Sequence, residues 1–322
     1  MKQIWKEVCF AALMGLVVPA VLLSAAVHFT IPDPPEELPQ LTTAPAQPQQ
    51  EPVRIRVLTE SSLVDEMDLE EYLVGVILAE MPASFEEEAQ KAQAVVARTF
   101  TLRTGQGSKH PQAAVCMDSG CCQAYISPEK YLAAGGTEEG IEKMRSAVEA
   151  TVGQVLTYGG ELIEATYFSC SGGSTEDAVA VWGTDVPYLR AVDSPGEEGA
   201  AHYTDTLSFS AEAFASALGL DLTGPTKTWF GDVTYTAGGG VDTAVIGGVN
   251  FRGTELRKAL GLRSTAFTVT AGEDAVTITT RGYGHRVGMS QYGADAMALA
   301  GSSYEQILAH YYQGAVLESR NN

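Results

Sequence analysis

The residue best suited to do chemistry is a glutamate at the end of an apolar stripe. The stripe runs from Leu69 to Ile77 at helical spacing, and its continuation by three or four residues reaches Glu80. Pro82 disfavours helical geometry in the residue before it, so the helix should end there. A carboxyl group among apolar neighbours has a raised pKa, because burial disfavours its charged form, and a general acid needs such a pKa near neutral pH. The structural alternative is a buried ion pair with Arg98 on the next helix.

Two further segments combine glycine with polar side chains. In "RGYGHRVGMSQYGA" the glycines allow a backbone to approach a ligand, and the hydrogen-bonding side chains are His285, Ser290, Gln291 and Tyr292. This predicts a polar docking site, unless the segment is only a tight turn in which Ser290 caps a helix.

The second segment, "YFSCSGGSTE", could line a cleft with Ser169, Ser171 and Gly172. Local turn hydrogen bonds are its ordinary explanation. Because the chain has no Gly-x-Ser-x-Gly elbow, neither serine is identified as a nucleophile.

A possible metal site lies between these segments and the glutamate. His110, Cys116 and Cys122 are spaced six residues apart, and one imidazole with two thiolates suits zinc. The pattern lacks an obvious fourth ligand, which Cys121, water or a substrate group could supply. A disulfide, Cys121–Cys122 or Cys116–Cys122, is the alternative in an exported chain.

The elements that must position these residues predict an α+β fold with mainly antiparallel strands. Capping boxes are expected at Asp68 with Glu71 and at Ser84 with Glu87, each opening a helix. Period-2 patterns and glycine turns predict a strand at 53–58, hairpins at 154–169 and 266–284, and short strands at 226–253. Further helices are expected at 139–153, 208–220, 290–300 and 303–313.

The overall charge excludes one class of partner. Forty acidic and twenty basic residues give a net charge of −20 over 322 residues. Nucleic-acid binding depends on clustered Lys and Arg, so we expect no nucleic-acid partner.

The N-terminal sequence predicts a membrane anchor. Residues 9–32 carry no Lys, Arg, Asp or Glu and are numerous enough to span a bilayer as a helix. Lys2 and Lys6 precede this stretch, so residues 1–8 should be a cytoplasmic tail and the rest should lie outside the membrane. A cleaved signal peptide is the alternative. Residues 33–53, rich in Pro and Gln, should be an extended linker to a domain at 54–317.

Four segments resemble the stage II sporulation protein D family of spore-forming bacteria. They are "AEMPASFEEEAQKAQAVVART", "YFSCSGGSTEDAVAVWGTDVPYL", "FRGTELRKALGLRSTAF" and "GYGHRVGMSQYGADAMALAGSSYEQILAHYYQG". They occur in the family's order, and the resemblance extends from about 54 to 316. The proposed anchor and linker also fit.

This resemblance implies a membrane-anchored lytic transglycosylase that cuts peptidoglycan glycan strands during engulfment of the forespore. The product would end in 1,6-anhydro-N-acetylmuramic acid. The glutamate of the family's A-E-M-P motif is the catalytic acid/base, and it falls on Glu80. Because the sugar's own 6-hydroxyl closes the ring, no second carboxylate is needed, unlike in most glycosidases.

The resemblance also implies a zinc site, and this chain departs from the family's pattern at two positions. Some family members bind zinc through His-x5-Cys-x5-Cys, which His110, Cys116 and Cys122 match. Arg286 stands where the family usually has Gly, and it is expected to contact the lactyl carboxylate of muramic acid. Cys170 stands where a hydroxyl residue is common. The candidate substrate-binding residues are Arg98, Ser169, Ser171, Gly172, His285, Arg286, Ser290, Gln291 and Tyr292.

The implied partners are peptide-stripped glycan strands and an amidase, the stage II sporulation protein P, in a membrane complex at the sporulation septum. The competing hypothesis is a glycan-binding module that activates a cell-wall amidase without cutting sugar.

Overall fold

A computed structural model describes residues 52–107 and 109–320 of the chain. The predicted cytoplasmic tail, the anchor and nearly all of the linker lie outside the described residues. Within the described ranges, no helix combines the length and the apolar composition needed to cross a bilayer. The anchor therefore stays a prediction.

Helices and short strands alternate along the described chain. The helices are α1 (Leu69–Glu80), α2 (Glu87–Gly105), α3 (Pro128–Ala133), α4 (Glu138–Glu149), α5 (Ala178–Trp182), α6 (Ala211–Leu218), α7 (Gly253–Ala259), α8 (Gln291–Leu299) and α9 (Tyr304–Tyr311). The strands are β1 (Arg54–Leu58), β2 (Val64–Asp68), β3 (Val115–Cys116), β4 (Gln154–Tyr158), β5 (Glu161–Leu162), β6 (Tyr167–Phe168), β7 (Gly173–Ser174), β8 (Asp193–Ser194), β9 (Thr204–Ser210), β10 (Phe230–Tyr235), β11 (Val241–Ile246), β12 (Val249–Arg252), β13 (Phe267–Ala271), β14 (Ala275–Arg281), β15 (Met289–Ser290) and β16 (Val316–Ser319).

Most strands pair in an antiparallel sense. The three-stranded sheets have the orders β2-β1-β3, β10-β11-β12, β13-β14-β9 and β16-β4-β5. Among the described strands, only β1 with β3 and β6 with β15 pair in parallel. This mixture of helices with mainly antiparallel strands confirms the predicted α+β class.

One large hydrophobic core surrounds α1 and α2. Tyr72, Val76 and Ile77 of α1 are fully buried, as the helical stripe predicts. The two helices pack on each other and on α4, while β4, α8 and α9 also pack against α2. Because α1 is anchored along its apolar face, the residue at its end has a fixed position.

A second hydrophobic cluster is built by residues between β9 and β14. Phe214 of α6, Leu256 of α7 and Ile278 of β14 are its buried members with the least exposure, together with Val276. The chain leaves this cluster at Arg281 and enters the glycine-rich segment. The second cluster thus supports the strand from which that segment emerges.

Several predicted local structures are confirmed. Thr157 pairs with Leu162 and Tyr158 with Glu161 across the predicted hairpin. Both turn glycines, 159 and 160, have positive φ, which two-residue hairpin loops of this type require. Asp68 caps α1 as expected by accepting from the backbone N–H groups of the first turn.

Other boundaries differ from the prediction. The helix expected to open at a Ser84–Glu87 capping box begins at Glu87, and its N-cap residue is Glu86. The Glu86 N–H donates to the Asp295 carboxylate of α8 at 2.7 Å, so a distant side chain replaces the predicted cap. The sequence also missed β16, which pairs with β4 and runs past residue 317.

Candidate functional site

Glu80 is the last residue of α1, and the chain continues in extended geometry at Met81. The side chain lines a cleft of about 300 Å³. The lining residues are Glu80, Phe100, Ser119, Cys122, Thr166, Tyr167, Phe168, Ser169, Tyr283, Gly284, His285 and Gln291. Within the described part of the chain, Glu80 is the only carboxylate among them.

The Glu80 carboxylate is held through one of its two oxygens. Oε1 accepts the backbone N–H of Ala124 at 2.8 Å and the hydroxyl of Tyr167 at 3.2 Å. Oε2 accepts no hydrogen bond from the described residues, so it remains available to a ligand in the cleft. This arrangement fixes the carboxyl group while leaving one oxygen for proton transfer.

Burial raises the pKa of Glu80 above its ordinary value. The Ala124 N–H, the Tyr167 hydroxyl and the Gln291 amide stabilise the charged form and partly offset this rise. The Gln291 amide acts only through proximity, since its Nε2 meets no hydrogen-bond geometry with any described residue. The pKa of Glu80 therefore stays above its ordinary value, which is the direction that a general acid requires.

A short parallel strand pair brings two distant segments to the cleft. Met289 pairs with Tyr167, so the "YFS" segment and the glycine-rich segment run side by side. The close approach requires glycine at Gly288, because a Cβ there would lie 2.1 Å from the Thr166 carbonyl oxygen. The pair therefore positions Tyr167 beside Glu80 and starts α8 with Gln291 in the cleft.

His285 is a neutral lining group. Its ring packs against Phe168 at 5.6 Å and Trp182 at 5.4 Å between centroids. Burial, with the nearby positive charge of Arg257, lowers the pKa of His285 to about 4. Its Nδ1 accepts the Val287 N–H at 3.1 Å, which leaves Nε2 to carry the proton in the neutral ring. His285 can thus donate a hydrogen bond at neutral pH but is uncharged.

The structure brings together four predicted site residues: Glu80, Ser169, His285 and Gln291 all line the cleft. Tyr292 instead packs its ring edge-on against Phe85, with the centroids 4.9 Å apart. Its backbone N–H donates to the Ser169 carbonyl oxygen at 3.0 Å. Its side chain therefore supports the core and does not line the cleft.

Three other predicted substrate-binding residues have structural roles. Ser171 donates its hydroxyl and its backbone N–H to the buried Glu197 carboxylate, at 2.8 and 2.6 Å. The Gly172 N–H donates to the same carboxylate at 3.3 Å. Ser290 accepts the Gly293 N–H at 3.2 Å as the N-cap of α8, which was the alternative interpretation of this serine. These contacts differ from the predicted contact with substrate, because Ser171 and Ser290 are fully buried.

Arg98 also differs from the prediction. Its side chain is 1% exposed and donates to Glu70, with Nη2 and Oε2 2.6 Å apart. It further donates to the backbone carbonyls of Val148 and Gln154. Arg98 therefore neither pairs with Glu80 nor reaches the cleft, and its assignment as a substrate-binding residue is wrong.

Arg286 is likewise internal. It forms a buried ion pair with Glu176 at 3.0 Å and donates to the backbone carbonyls of Ser171, Ser174 and Gly238. Its φ of 66° lies in the left-handed region, where glycine is favoured. The expected contact with a lactyl carboxylate is wrong, because all of these contacts hold the guanidinium group away from solvent.

The histidine and cysteines form one cluster. The ligand atoms of His110, Cys116, Cys121 and Cys122 all lie within 4.8 Å of one another. Four ligands about 2.3 Å from a tetrahedral ion would be roughly 3.8 Å apart, so this cluster could hold a metal ion. Cys121 is close enough to the other three side chains to supply the fourth ligand that the spacing left open. All four cysteines of the described residues, Cys170 among them, are free thiols, so neither predicted disulfide is present.

Sequence reasoning missed the two groups that hold Glu80. Tyr167 lies 87 residues and Ala124 lies 44 residues further along the chain. The backbone N–H of Ala124 has no sequence signal at all. Tyr167 sits in a segment identified for its serines, and as the first residue of the two-residue strand β6 it carries no sequence signal of its own.

Comparison with known proteins identifies the class of protein to which this site belongs. A family model described as "Stage II sporulation protein" matches residues 58–158. Stage II sporulation protein D of Bacillus subtilis (strain 168) is 42% identical over 270 residues, which cover 82% of this chain and 78% of that protein. Its counterpart from Bacillus amyloliquefaciens is 40% identical over 273 residues, covering 83% and 79%.

The chain therefore belongs to the stage II sporulation protein D family, a family of sporulation proteins, and the predicted resemblance is confirmed. It is also similar to the amidase enhancer of Bacillus subtilis (strain 168), with 34% identity over 304 residues. That match covers 77% of this chain but 40% of the amidase enhancer.

Proposed function

We propose that the protein is a lytic transglycosylase that cuts peptide-stripped glycan strands of peptidoglycan. The observation that carries this proposal is Glu80, a carboxyl group with a raised pKa in an open cleft, held through Oε1 alone. Membership of a sporulation family supports a cell-wall substrate.

The chemistry follows from the free oxygen of Glu80. Its carboxyl proton is transferred to the glycosidic oxygen as the bond from that oxygen to the anomeric carbon breaks. The 6-hydroxyl of the same sugar then bonds to that carbon, and its proton returns to the Glu80 carboxylate. The product is a 1,6-anhydro-N-acetylmuramic acid end. This route needs neither water nor a second carboxylate, consistent with a cleft whose described lining has Glu80 as its single acidic group.

The two groups that hydrogen-bond to Glu80 Oε1 would support this chemistry. The Ala124 N–H and the Tyr167 hydroxyl stabilise the carboxylate after it loses its proton. They do so without moving, because Tyr167 is fixed by the strand pair and Ala124 by the chain. Such preorganised donors lower the free energy of a charge that develops during reaction.

The test is product analysis with the full chain in detergent micelles and peptide-free glycan strands. We expect anhydro-muramyl products from the wild type and none from Glu80→Gln, read by mass spectrometry. Glu149→Gln is the matched control, since Glu149 is the last residue of α4 but lies outside the cleft. Reducing-end products would instead mean hydrolysis, and full activity of Glu80→Gln would refute the assignment.

The amidase-activating alternative is favoured by the 34% identity to the amidase enhancer. The same Glu80→Gln variant separates the two functions. If wild-type chain leaves strands intact but binds them and stimulates a cell-wall amidase, the alternative function is correct. If stimulation persists in the variant while cleavage is lost, both activities belong to one protein.

We also propose that the His/Cys cluster holds zinc in a structural role. Zinc would supply no reacting water in the chemistry above and would tie 110–122 into one loop. Metal analysis of the purified full chain should give one zinc per chain, lost in Cys116→Ser and kept in Cys170→Ser. Equal zinc content in the two variants would contradict this site.

The remaining proposals concern location and partners. We propose that residues 9–32 anchor the protein in the cell membrane and that 33–53 extend the domain outward, at the sporulation septum. The proposed partner is the stage II sporulation protein P amidase in a membrane complex. Protease accessibility in intact protoplasts and co-purification with that amidase test these two statements. A protease-protected domain would contradict the orientation.

A further inference from the structure

A second cavity, which we call the basic groove, lies beside β1 and is lined by Arg54, Arg56 and Arg320 among other residues. Its volume is about 510 Å³. The basic groove and the cleft of Glu80 have no lining residue in common. The basic groove is therefore a separate site, which the chemistry of Glu80 does not use.

The basic groove carries positive charge without a counter-ion. Its lining residues in the described chain include no Asp or Glu, although acidic residues outnumber basic ones by forty to twenty in the sequence. Arg54, Arg56 and Arg320 form no ion pair with any carboxylate of the described residues. Like charges repel one another, so three unpaired arginines around one cavity favour the binding of an anion.

The strands fix the positions of the three arginines. Arg54 and Arg56 alternate with buried residues of β1, so both side chains leave the same face of this strand. Arg320 directly follows β16, and its backbone N–H donates to the Gly153 carbonyl oxygen at 2.9 Å. Its Nη2 donates to the Gly160 carbonyl oxygen at 3.1 Å. A carbonyl oxygen orients the guanidinium group without neutralising its charge.

The negative groups near the basic groove lie outside its lining or carry little charge. Glu66 of β2 is exposed and pairs with Arg56 across the sheet. Asp68 pairs with Arg54, but its carboxylate accepts the first N–H groups of α1. Gly105, the last residue of α2, lines the basic groove, and a helix end contributes only about half a negative charge. Because the arginines line the basic groove and neither carboxylate does, we expect a positive potential inside it.

These features define the ligand as an organic phosphate. The planar guanidinium group matches the oxygens of phosphates and carboxylates. A phosphate monoester concentrates nearly two negative charges on one tetrahedral group, which can accept from several arginines at once. Cavities of about 300–1,000 Å³ hold small organic molecules. Leu102, Pro111 and Leu162 also line the basic groove, so its wall has an apolar part that suits the organic portion of such a ligand.

We propose that Arg54, Arg56 and Arg320 form a binding site for phosphate monoesters of small organic groups. Their guanidinium groups donate to the phosphate oxygens, and the organic part of the ligand contacts the apolar wall. Soluble phosphate esters and the headgroups of phosphorylated lipids present the same atoms to this site. The site shares no lining residue with the Glu80 cleft, so it does not depend on the proposed function.

The experiment is titration calorimetry of the full chain in neutral detergent micelles. The probe is glycerol 3-phosphate, and the comparison is tricarballylate, which carries three carboxylates. We expect glycerol 3-phosphate to bind more tightly, with an affinity that falls as salt is added. Arg54→Gln, Arg56→Gln and Arg320→Gln should each weaken its binding about tenfold, as the loss of a charge-assisted hydrogen bond predicts. Lys258→Gln is the control, because it removes an exposed positive charge of α7 outside the basic groove.

Two further variants give results that a merely structural role would not. Arg56→Lys keeps the charge but loses the planar fork, so its affinity should lie between those of wild type and Arg56→Gln. Glu66→Gln removes the negative charge opposite Arg56 and should strengthen binding about twofold. The site is overturned if tricarballylate binds as tightly as glycerol 3-phosphate. It is also overturned if Lys258→Gln weakens binding as much as the three arginine variants do, or if no arginine variant weakens it.

Nanodiscs distinguish a soluble ligand from a lipid headgroup. The full chain is placed in phosphatidylcholine nanodiscs with or without phosphatidic acid, a lipid whose headgroup is a phosphate monoester. If phosphatidic acid abolishes the binding of glycerol 3-phosphate, the lipid headgroup occupies the site. If glycerol 3-phosphate binds equally in both nanodiscs, the ligand is a soluble phosphate ester. Loss of binding in both nanodiscs would overturn the site.

Discussion

Removal of one hydroxyl group tests the role assigned to Glu80. In Tyr167→Phe the O–H donor 3.2 Å from Glu80 Oε1 is lost, while the Ala124 N–H remains. A hydrogen bond to a charged group contributes about 1.5–3 kcal/mol. The lower end of this range applies to Tyr167, because its hydroxyl also lies 3.2 Å from Gln123 Oε1 and can donate to only one acceptor at a time. Since about 1.4 kcal/mol is a tenfold change in a protonation equilibrium, the effect is measurable.

The direction of the change in the Glu80 pKa follows from the form of Glu80 that the Tyr167 hydroxyl stabilises. The Tyr167 O–H stabilises the Glu80 carboxylate, so its removal raises the pKa of Glu80 further. A general acid acts while protonated, and the rate falls as pH rises through its pKa. In Tyr167→Phe this fall in rate should therefore occur about one pH unit higher than in wild type.

The assay is the initial rate of anhydro-muramyl product formation across a pH series. Tyr158→Phe is the control, because Tyr158 is an exposed tyrosine of β4 outside the cleft. The pH dependence of this control should match that of wild type. If the fall in rate for Tyr167→Phe stays in place or moves to lower pH, then Glu80 is not the acid whose protonation limits the reaction.

Two further substitutions test the structural roles of Arg98 and Arg286. Arg98→Met should lower the free energy of unfolding by about 3 kcal/mol, because Glu70 and two carbonyls lose their buried donor, and thermal melts should show it. Arg286→Gly relieves the left-handed φ but leaves Glu176 buried without its cation, so it too should destabilise the fold by about 3 kcal/mol. For either variant, an unchanged melting temperature with lost glycan affinity would restore a direct contact with substrate.

The sequence predicted the buried position of Glu80 at the end of a helix because that signal is local. The apolar stripe of α1 and the proline that follows it define both the face and the end of the helix. Continuing the stripe therefore reached Glu80 without knowledge of the fold. The spacing of His110, Cys116 and Cys122 predicted their cluster for the same reason, since these side chains lie in one short segment.

The partners of Glu80 could not be predicted, because they depend on tertiary packing. Tyr167 reaches the carboxylate through a two-residue parallel strand pair, which is too short for any periodicity. The predictions that Arg98 and Arg286 bind substrate failed for a related reason. Arg286 in the glycine-rich segment suggested an anionic ligand, but its guanidinium group binds Glu176 and three backbone carbonyls that come from elsewhere in the fold.

The His/Cys cluster and Glu80 are connected through consecutive residues. Cys122 belongs to the cluster and also lines the cleft. The next residue, Gln123, has its Oε1 within hydrogen-bond distance of the Tyr167 hydroxyl, and Ala124 donates its N–H to Glu80. Cys122 and Ala124 are two residues apart in the chain, and the Ala124 N–H lies 2.8 Å from Glu80 Oε1. The His/Cys cluster is therefore connected to Glu80 through three consecutive residues, the last of which donates a hydrogen bond to its carboxylate.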